Sequence, residues 1–222
     1  TYGVDVLDDN RELVARSATV VLAVKPQIFK PVLAGVSDVF DSSKLLVSIL
    51  AGVTTANIES VLGGEPRVVR AMPNTPALVS AGATAMCPGR YVAKGDLSLA
   101  RQIFETVGVV VEVTEGQMDA VTGLSGSGPA YIYTVIEALA AGGVREGLPA
   151  DLARVLATQT VLGAAHLVDS SGEHPALLRD KVCSPGGTTI AGISVLEERG
   201  LRAALMAAVG AATRRSRELG QA

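Results

Sequence analysis

The fold is decided by the stretch Thr19-Val20-Val21-Leu22-Ala23-Val24-Lys25-Pro26. Its first six residues form an almost uninterrupted apolar run rich in β-branched side chains, which is typical of a strand covered on both faces in a parallel sheet. Similar short runs follow at 45–49 and at Arg67–Met72, with helical stretches between them. Repeated strand–helix units predict an open α/β sheet of parallel strands with right-handed crossovers.

The remainder of the first half extends this alternation. Asp9 and Asn10 form a turn or cap before a short helix that ends near Arg16. Further strands are expected at 3–6, 83–87 and 109–113, and further helices at 54–62 and 94–107.

After about residue 115 the pattern becomes helical. Apolar residues recur at helical spacing at Ile132, Val135, Ile136 and Leu139, and no strand pattern is present. The sequence therefore predicts an α/β domain over 1–115 and an all-helical domain over 116–222.

The helical domain is expected to contact a second subunit. Its segments 128–145 and 201–218 are rich in alanine and apolar on more than one face, and helices of that kind are normally buried. A further helix is expected over 148–169, with its apolar side chains facing inward at Leu152, Val155, Leu156 and Leu162.

Composition excludes several classes of protein. The chain carries 19 basic and 22 acidic side chains, and its net charge of −3 indicates neither a nucleic-acid nor a membrane-surface partner. Hydrophobic residues make up 48% of the chain, which excludes intrinsic disorder. Two cysteines and two histidines show no disulfide framework and no zinc spacing, so no metal is expected. A reducing, cytoplasmic location is the default expectation.

Three strands end in turns that could line a ligand crevice. The first is Ala23 to Pro26, the second contains Ala51 and Gly52, and the third contains Asn74. Ligands of open α/β sheets bind outside the carboxyl ends of the strands. A single such turn is more often ordinary turn chemistry, whereas three at one edge favour a cofactor crevice.

Two glycine-rich segments lie in the helical half. Gly123 to Pro129 follows no strand and lacks a Lys-Ser/Thr pair, so it is interpreted as a tight turn between helices with Ser127 as N-cap. Ser184-Pro185-Gly186-Gly187-Thr188-Thr189 is the stronger site candidate, because free backbone N–H groups, hydroxyls and a helix N-terminus suit a small carboxylate. A simple capping loop is the alternative for that segment.

Taken together, the motifs make the chain resemble the pyrroline-5-carboxylate reductases. The matching stretches are Val21 to Gln27, Arg70 to Pro76, Gly123 to Tyr131, and the run from Pro175 through Ser184-Pro185-Gly186-Gly187-Thr188-Thr189 to Glu197. The resemblance covers essentially the whole sequence. It implies an N-terminal Rossmann domain that binds a dinucleotide and a C-terminal helical domain that binds substrate and forms dimers or larger assemblies.

The resemblance also implies the reaction and the residues that serve it. Hydride passes from a nicotinamide cofactor, NADPH with NADH as the alternative, to the C=N carbon of 1-pyrroline-5-carboxylate and gives L-proline. The residues implied in cofactor binding are Asn10, Ala23, Val24, Lys25, Pro26, Ala51, Gly52 and Asn74, the last near the nicotinamide. Those implied in substrate binding are Ser184, Gly186, Gly187, Thr188 and Thr189, with Thr189 as the catalytic, substrate-orienting side chain. Glu173 is expected to stand in for an acidic residue that some family members carry one position earlier, at Gly172.

One family element is expected to precede Thr1, namely the first strand, the Gly-rich loop and the second strand, since no G-x-G-x-x-G occurs in the first half. Pyrophosphate binding is therefore assigned to no residue of the sequence. Two other readings stay open: a reductase of the β-hydroxyacid or 6-phosphogluconate type, with Lys181 as base, and a catalytically silent oligomeric binding protein.

Overall fold

The computed structural model describes residues 3–221, which form two compact units. The first, here called the sheet unit, comprises residues 3–129 and 209–221, and the second, the helical unit, comprises Ala130–Ala208. The change from α/β to helical structure follows the last strand, which ends at Glu112. The functional domain boundary at residue 115 stays a prediction.

Within residues 3–221, five strands lie side by side in chain order in a single sheet. They are β1 (Thr19–Leu22), β2 (Leu45–Ser48), β3 (Arg67–Met72), β4 (Gly82–Pro88) and β5 (Gly108–Glu112). The pairs β1–β2, β2–β3 and β4–β5 are parallel, as the strand–helix alternation predicts.

The expectation of a wholly parallel sheet is wrong at one place, because β3 and β4 are antiparallel. Residues 73–81 connect these two strands and contain only a 3-10 helix, Thr75–Val79. A parallel crossover needs about a dozen residues or more, so this connection is too short to return the chain to the other end of the sheet.

The expected strand at 3–6 is also absent. These residues form no ladder with any described strand, and Val4 and Val6 are 73% and 86% exposed. An apolar alternation without a neighbouring strand to pair with leaves its backbone to water.

Helices cover both faces of the sheet. On one face pack α1 (Asn10–Arg16), α2 (Phe29–Ala34) and α3 (Thr55–Leu62), around a core that includes Leu33, Leu46 and Ile58. On the other face packs α4 (Lys94–Glu105), with Ala100 and Phe104 against Val47 and Val69. The side chains of Asp9 and Thr54 accept backbone hydrogen bonds at the starts of α1 and α3, so both helices begin at a polar cap.

The second half is helical, and residues 117–221 contain no strand. Its elements are α5 (Met118–Val121), a π-helical turn (Thr122–Gly126), α6 (Gly128–Arg145), α7 (Ala150–Ser171), α8 (Pro175–Val182), α9 (Thr188–Glu198) and α10 (Leu201–Gln221). The tight turn expected at 123–129 is thus wrong. Ser127 has helical dihedral angles (φ −87°, ψ −21°) and is not an N-cap.

The helical unit leaves most of its apolar side chains exposed. Leu152, Val155 and Leu156, which the periodicity places inward, are exposed in the single chain. Among the described helices, none combines the length and the apolar character that a bilayer crossing requires.

Candidate functional site

The carboxyl ends of three parallel strands meet at one edge of the sheet. Leu22, Ser48 and Arg70 are register partners across β1, β2 and β3. The segments that follow these strands therefore leave the sheet side by side, at the edge where open α/β sheets bind ligands.

The segment after β1 combines small side chains with a free cation. Ala23 and Lys25 are exposed, and Lys25 Nζ makes no hydrogen bond or ion pair with any described residue. Asn10 is the first residue of α1 and lines a cavity of about 110 Å³ together with Ala23 and Val24. The connection after β1 therefore carries four of the expected cofactor residues, Ala23, Val24, Lys25 and Pro26, and Asn10 lies beside it. A backbone open to close approach and an unpaired lysine fit a phosphate or ribose.

The segment after β2 is partly covered. Ala51 is half-buried, and Gly52 is buried against the last turns of α10. Asn57 of α3 donates from Nδ2 to the Gly220 carbonyl oxygen at 3.5 Å. A cleft of about 510 Å³ opens here, and Pro26, Gln27, Phe29, Lys30, Val53, Asn57, Ser60, Leu219 and Gly220 line it. The sequence analysis did not predict that α10 lines this cleft, because spacing patterns carry no signal for a contact between residues 163 positions apart.

The segment after β3 contains Asn74, whose side chain is held at both ends. Its Oδ1 accepts a hydrogen bond from the Ala83 N–H at 2.9 Å, and its Nδ2 donates to the Ser125 carbonyl oxygen at 3.1 Å. Asn74 therefore links the start of β4 to the π-helical turn.

A partly buried ion pair lies beneath this edge. Arg70 is 2% exposed, and its Nη1 lies 2.5 Å from Glu115 Oε1. Glu115 Oε2 accepts from Thr55 Oγ1 at 2.7 Å, and the thiol of Cys87 lies 3.6 Å from the same oxygen. This cluster went unrecognised in the sequence, although an arginine inside the apolar run Val68-Val69-Arg70-Ala71 was a usable signal.

Cys87 is unsuited to act as a nucleophile. Burial first, and the negative charge of Glu115 second, raise the pKa of the Cys87 thiol to about 12. The thiol therefore stays protonated near neutral pH, whereas thiolates are the reactive form.

The loop Ser184–Thr189 connects α8 to α9. Gly186 has a φ of +68°, and Gly187 is the N-cap of α9 and offers no side-chain hydrogen bond to the first turn. The first N–H groups of a helix have no partner within it, so a small anion could accept from them here. A Cβ at residue 187 would clash with Ser184 Oγ and lie 3.2 Å from the Ser184 carbonyl oxygen, so glycine at 187 lets the Ser184 hydroxyl approach the start of α9. Thr189 is half-buried and Thr188 is exposed.

Glu173 forms an ion pair with Lys181 of α8, the helix that precedes this loop. Lys181 Nζ lies 2.6 and 2.7 Å from the two carboxylate oxygens of Glu173. The lysine that a β-hydroxyacid-type reductase would use as a base is therefore ion-paired. Among residues 3–221, no group of three or more His, Cys, Asp or Glu side chains could hold a metal ion.

Two family models match the chain. Residues 115–219 match the model described as pyrroline-5-carboxylate reductase dimerisation, and residues 1–52 match the one described as NADP oxidoreductase, coenzyme F420-dependent. The first match coincides with the helical half, and the second ends in the turn after β2.

Curated and solved relatives agree with these matches. A pyrroline-5-carboxylate reductase from Synechocystis sp. is 53% identical over the whole chain and 82% of its own length. The structure of the pyrroline carboxylate reductase from Plasmodium falciparum with NADP bound superposes with a TM-score of 0.91 at 37% identity, over 96% of this chain and 81% of its own. The pyrroline-5-carboxylate reductase from Coxiella burnetii gives a TM-score of 0.91 at 43% identity, over 98% of this chain and 81% of its own. The chain therefore belongs to the pyrroline-5-carboxylate reductase family, the NAD(P)H-dependent oxidoreductases that reduce 1-pyrroline-5-carboxylate to proline.

Proposed function

We propose that this chain reduces 1-pyrroline-5-carboxylate to L-proline with NADPH, and with NADH as the less favoured cofactor. The observation that carries the proposal is the common edge at which β1, β2 and β3 end in register. That edge holds the family's motif residues, and the relative from Plasmodium falciparum was solved with NADP bound.

The cofactor is assigned to the sheet unit. When bound, NADPH supplies the hydride. Lys25 is the free cation for a phosphate or ribose oxygen, and the small side chains after β1 and β2 let the dinucleotide approach the backbone. The full set proposed to line it is Asn10, Ala23, Val24, Lys25, Pro26, Ala51, Gly52 and Asn74.

The substrate is assigned to the loop before α9. The free N–H groups at the start of this helix are proposed to hold the substrate carboxylate, because they carry the positive end of the helix dipole. The hydroxyl of Thr189 is proposed to hydrogen-bond the ring nitrogen and so to orient the C=N carbon. The full substrate set is Glu173, Ser184, Gly186, Gly187, Thr188 and Thr189.

The reaction needs little acid–base assistance from the protein. As hydride adds to the C=N carbon, the π electron pair of that bond passes to the nitrogen. Because a cyclic imine can enter with this nitrogen already protonated, the product amine keeps the proton and no side chain has to remove one. The residues therefore act chiefly by holding two rings in position and by excluding water.

We further propose that the two parts of the chain have different functions. Residues 1–115 bind the dinucleotide, and 116–222 bind the substrate and self-associate into a dimer or a larger assembly. The exposed apolar helices and the dimerisation model over 115–219 support self-association. Two unpaired cysteines, Cys87 and Cys183, support a reducing, cytoplasmic location.

The test of this function is steady-state oxidation of NADPH by the purified full-length enzyme with 1-pyrroline-5-carboxylate. Wild type should turn over, and Thr189→Val should lower kcat/KM for the imine by about tenfold or more, since one lost hydrogen bond costs about 0.5–1.5 kcal/mol and misalignment adds to it. Binding of NADPH should stay nearly constant.

Thr188→Val is the matched control, because Thr188 is exposed and is assigned a backbone contact. It should have a smaller effect than Thr189→Val. Absence of imine-dependent oxidation in wild type would refute the function, and wild-type kinetics in Thr189→Val would remove that residue from the site.

A further inference from the structure

A π-helical turn lies next to the cofactor edge of the sheet unit. It spans Thr122–Gly126 and is closed by a hydrogen bond from the Ser127 N–H to the Thr122 carbonyl oxygen at 2.9 Å. Turns of this width are rare and are found frequently at functional sites. Within it, Thr122 and Gly123 are buried, whereas Leu124 is exposed.

Two glycines let the turn sit against its neighbours. A Cβ at residue 123 would clash with Thr213 Oγ1 and would lie 2.6 Å from the Val209 carbonyl oxygen, both on α10. A Cβ at residue 126 would lie 2.7 Å from Met72 Cε. The turn is therefore packed between α10 and the last residue of β3.

Asn74 supplies the polar contact from β3 to this turn. Its amide orientation is fixed by chemistry, because the Ala83 N–H can only donate and the Ser125 carbonyl can only accept. Both ends of the amide are thus engaged by the protein. The side chain joins the strand end that carries the proposed cofactor site to the backbone of the π-helical turn.

We propose that Asn74 is a positioning residue, which acts on catalysis by holding the π-helical turn against the end of β3. The inference rests on the proposed function and refines it. Asn74 lies at the cofactor edge because it follows β3. Its amide, however, is engaged by the Ala83 N–H and by the Ser125 carbonyl of the π-helical turn, and it contributes little to the affinity for NADPH.

The substitution Asn74→Asp separates the two contacts. A carboxylate still accepts from the Ala83 N–H, but it cannot donate to the Ser125 carbonyl and repels it. We expect kcat to fall by about tenfold or more, since a displacement of about 1 Å can cost about a hundredfold. The Kd for NADPH, measured by calorimetry, should change less than about twofold. Hydrogen exchange of the peptide that covers residues 122–127 should become faster in the cofactor-free protein.

Gln117→Glu is the matched control. Gln117 Oε1 accepts from the Thr114 N–H at 2.8 Å on an exposed turn, so the variant makes the same amide-to-carboxylate change and keeps the acceptor. Its kcat and its exchange over 122–127 should equal those of wild type. Gly126→Ala is a second probe, because the added methyl group would lie too close to Met72 Cε and would displace the turn from the end of β3. It should fold, because Met72 Cε is the free end of a flexible side chain, and it should lower kcat several-fold with little change in Kd.

Three results would overturn the inference alone. Wild-type kinetics in both Asn74→Asp and Gly126→Ala would do so, as would an NADPH Kd that rises as much as kcat falls. A lowered melting temperature with unchanged kcat per folded molecule would reduce Asn74 to a structural residue. In each of these cases wild type still turns over the imine, so the proposed function survives; a wild type without turnover would end both.

Discussion

The sheet unit buries many of its apolar side chains within the single chain, whereas the helical unit leaves most of its apolar side chains exposed. All but two of the buried apolar side chains among residues 3–221 lie in the sheet unit, and the two exceptions, Ala153 and Ala157, are small. In the helical unit Tyr133, Val155 and Leu162 are each 58–60% exposed. The sheet unit thus has a core of its own, whereas the helical unit presents apolar faces that a monomer in water would rarely keep.

The polar interactions also differ between the two units, because those of the sheet unit are more buried than those of the helical unit. Glu115 of the sheet unit receives its hydrogen bonds from residues on β3, β4 and α3, and Arg70 below it is buried. The ion pairs of the helical unit, such as Arg202–Glu197, are exposed and contribute little. A groove of about 620 Å³ between α6 and α7, lined in part by Tyr133 and Val144, is one of the surfaces on which we propose that a second copy packs.

The largest expected effect follows from a charge on the exposed apolar face. Leu156 lies outside that groove, on another exposed apolar part of α7 where we propose that a second copy also packs. Leu156→Asp places a carboxylate there, and an unpaired buried charge costs several kcal/mol. The dissociation constant of the assembly should rise by about a hundredfold or more, as measured by sedimentation.

Val109→Asp is the control for that variant. Val109 is equally apolar and 66% exposed, but it lies on β5 of the sheet unit. Its sedimentation should match that of wild type, and a dissociated Val109→Asp or an intact Leu156→Asp would remove the distinction between the units.

The second effect concerns the stability of the sheet unit. Glu115→Gln leaves Arg70 charged and without its carboxylate, and Arg70 Nε and Nη2 already lack hydrogen-bond partners among the described residues. We expect the free energy of unfolding to fall by roughly 3 kcal/mol, at the low end for a broken buried pair because Glu115 is a third exposed. Scanning calorimetry measures this. Glu112→Gln, which removes an exposed pair with Arg101, should cost less than about 1 kcal/mol; equal losses in the two variants would contradict the account.

The smallest effect is expected at the cofactor edge. Lys25→Ala should raise the KM for NADPH by about three- to tenfold, which corresponds to the ~1 kcal/mol of one partly exposed charge contact. The KM for the imine should be unchanged. Lys94→Ala, at the exposed start of α4, is the control and should leave both constants alone. If Lys25→Ala alters both KM values equally, Lys25 has no particular role toward the cofactor.

The sequence predicted what depends on local pattern. The apolar run at Thr19 and its repeats gave β1, β2 and β3 to within two residues, and Asp9 marked the start of α1 as a turn or cap. The helix expected from residue 54 begins one residue later, with Thr54 as its N-cap. The direction of β4 was also within reach, since the length of the connection 73–81 decides it.

Other features depend on contacts that no local pattern contains. The segment 3–6 alternates like a strand, but a strand requires a partner for its backbone. The stretch Gly123 to Pro129 looks like a turn, but its glycines serve close packing on Met72 and α10 and allow a π-helical turn. The inward face assigned to α7 was read correctly as apolar, yet the single chain leaves it exposed. Site residues such as Thr189 came from the family resemblance, and their roles stay predictions.

Sedimentation velocity of the wild-type chain at sub-micromolar concentration tests the central claim most directly. The account predicts a dimer or a larger assembly with no detectable monomer, because the helical unit needs a second copy to bury its apolar helices. A folded monomer that persists over the whole concentration range and reduces 1-pyrroline-5-carboxylate at the full rate would contradict it.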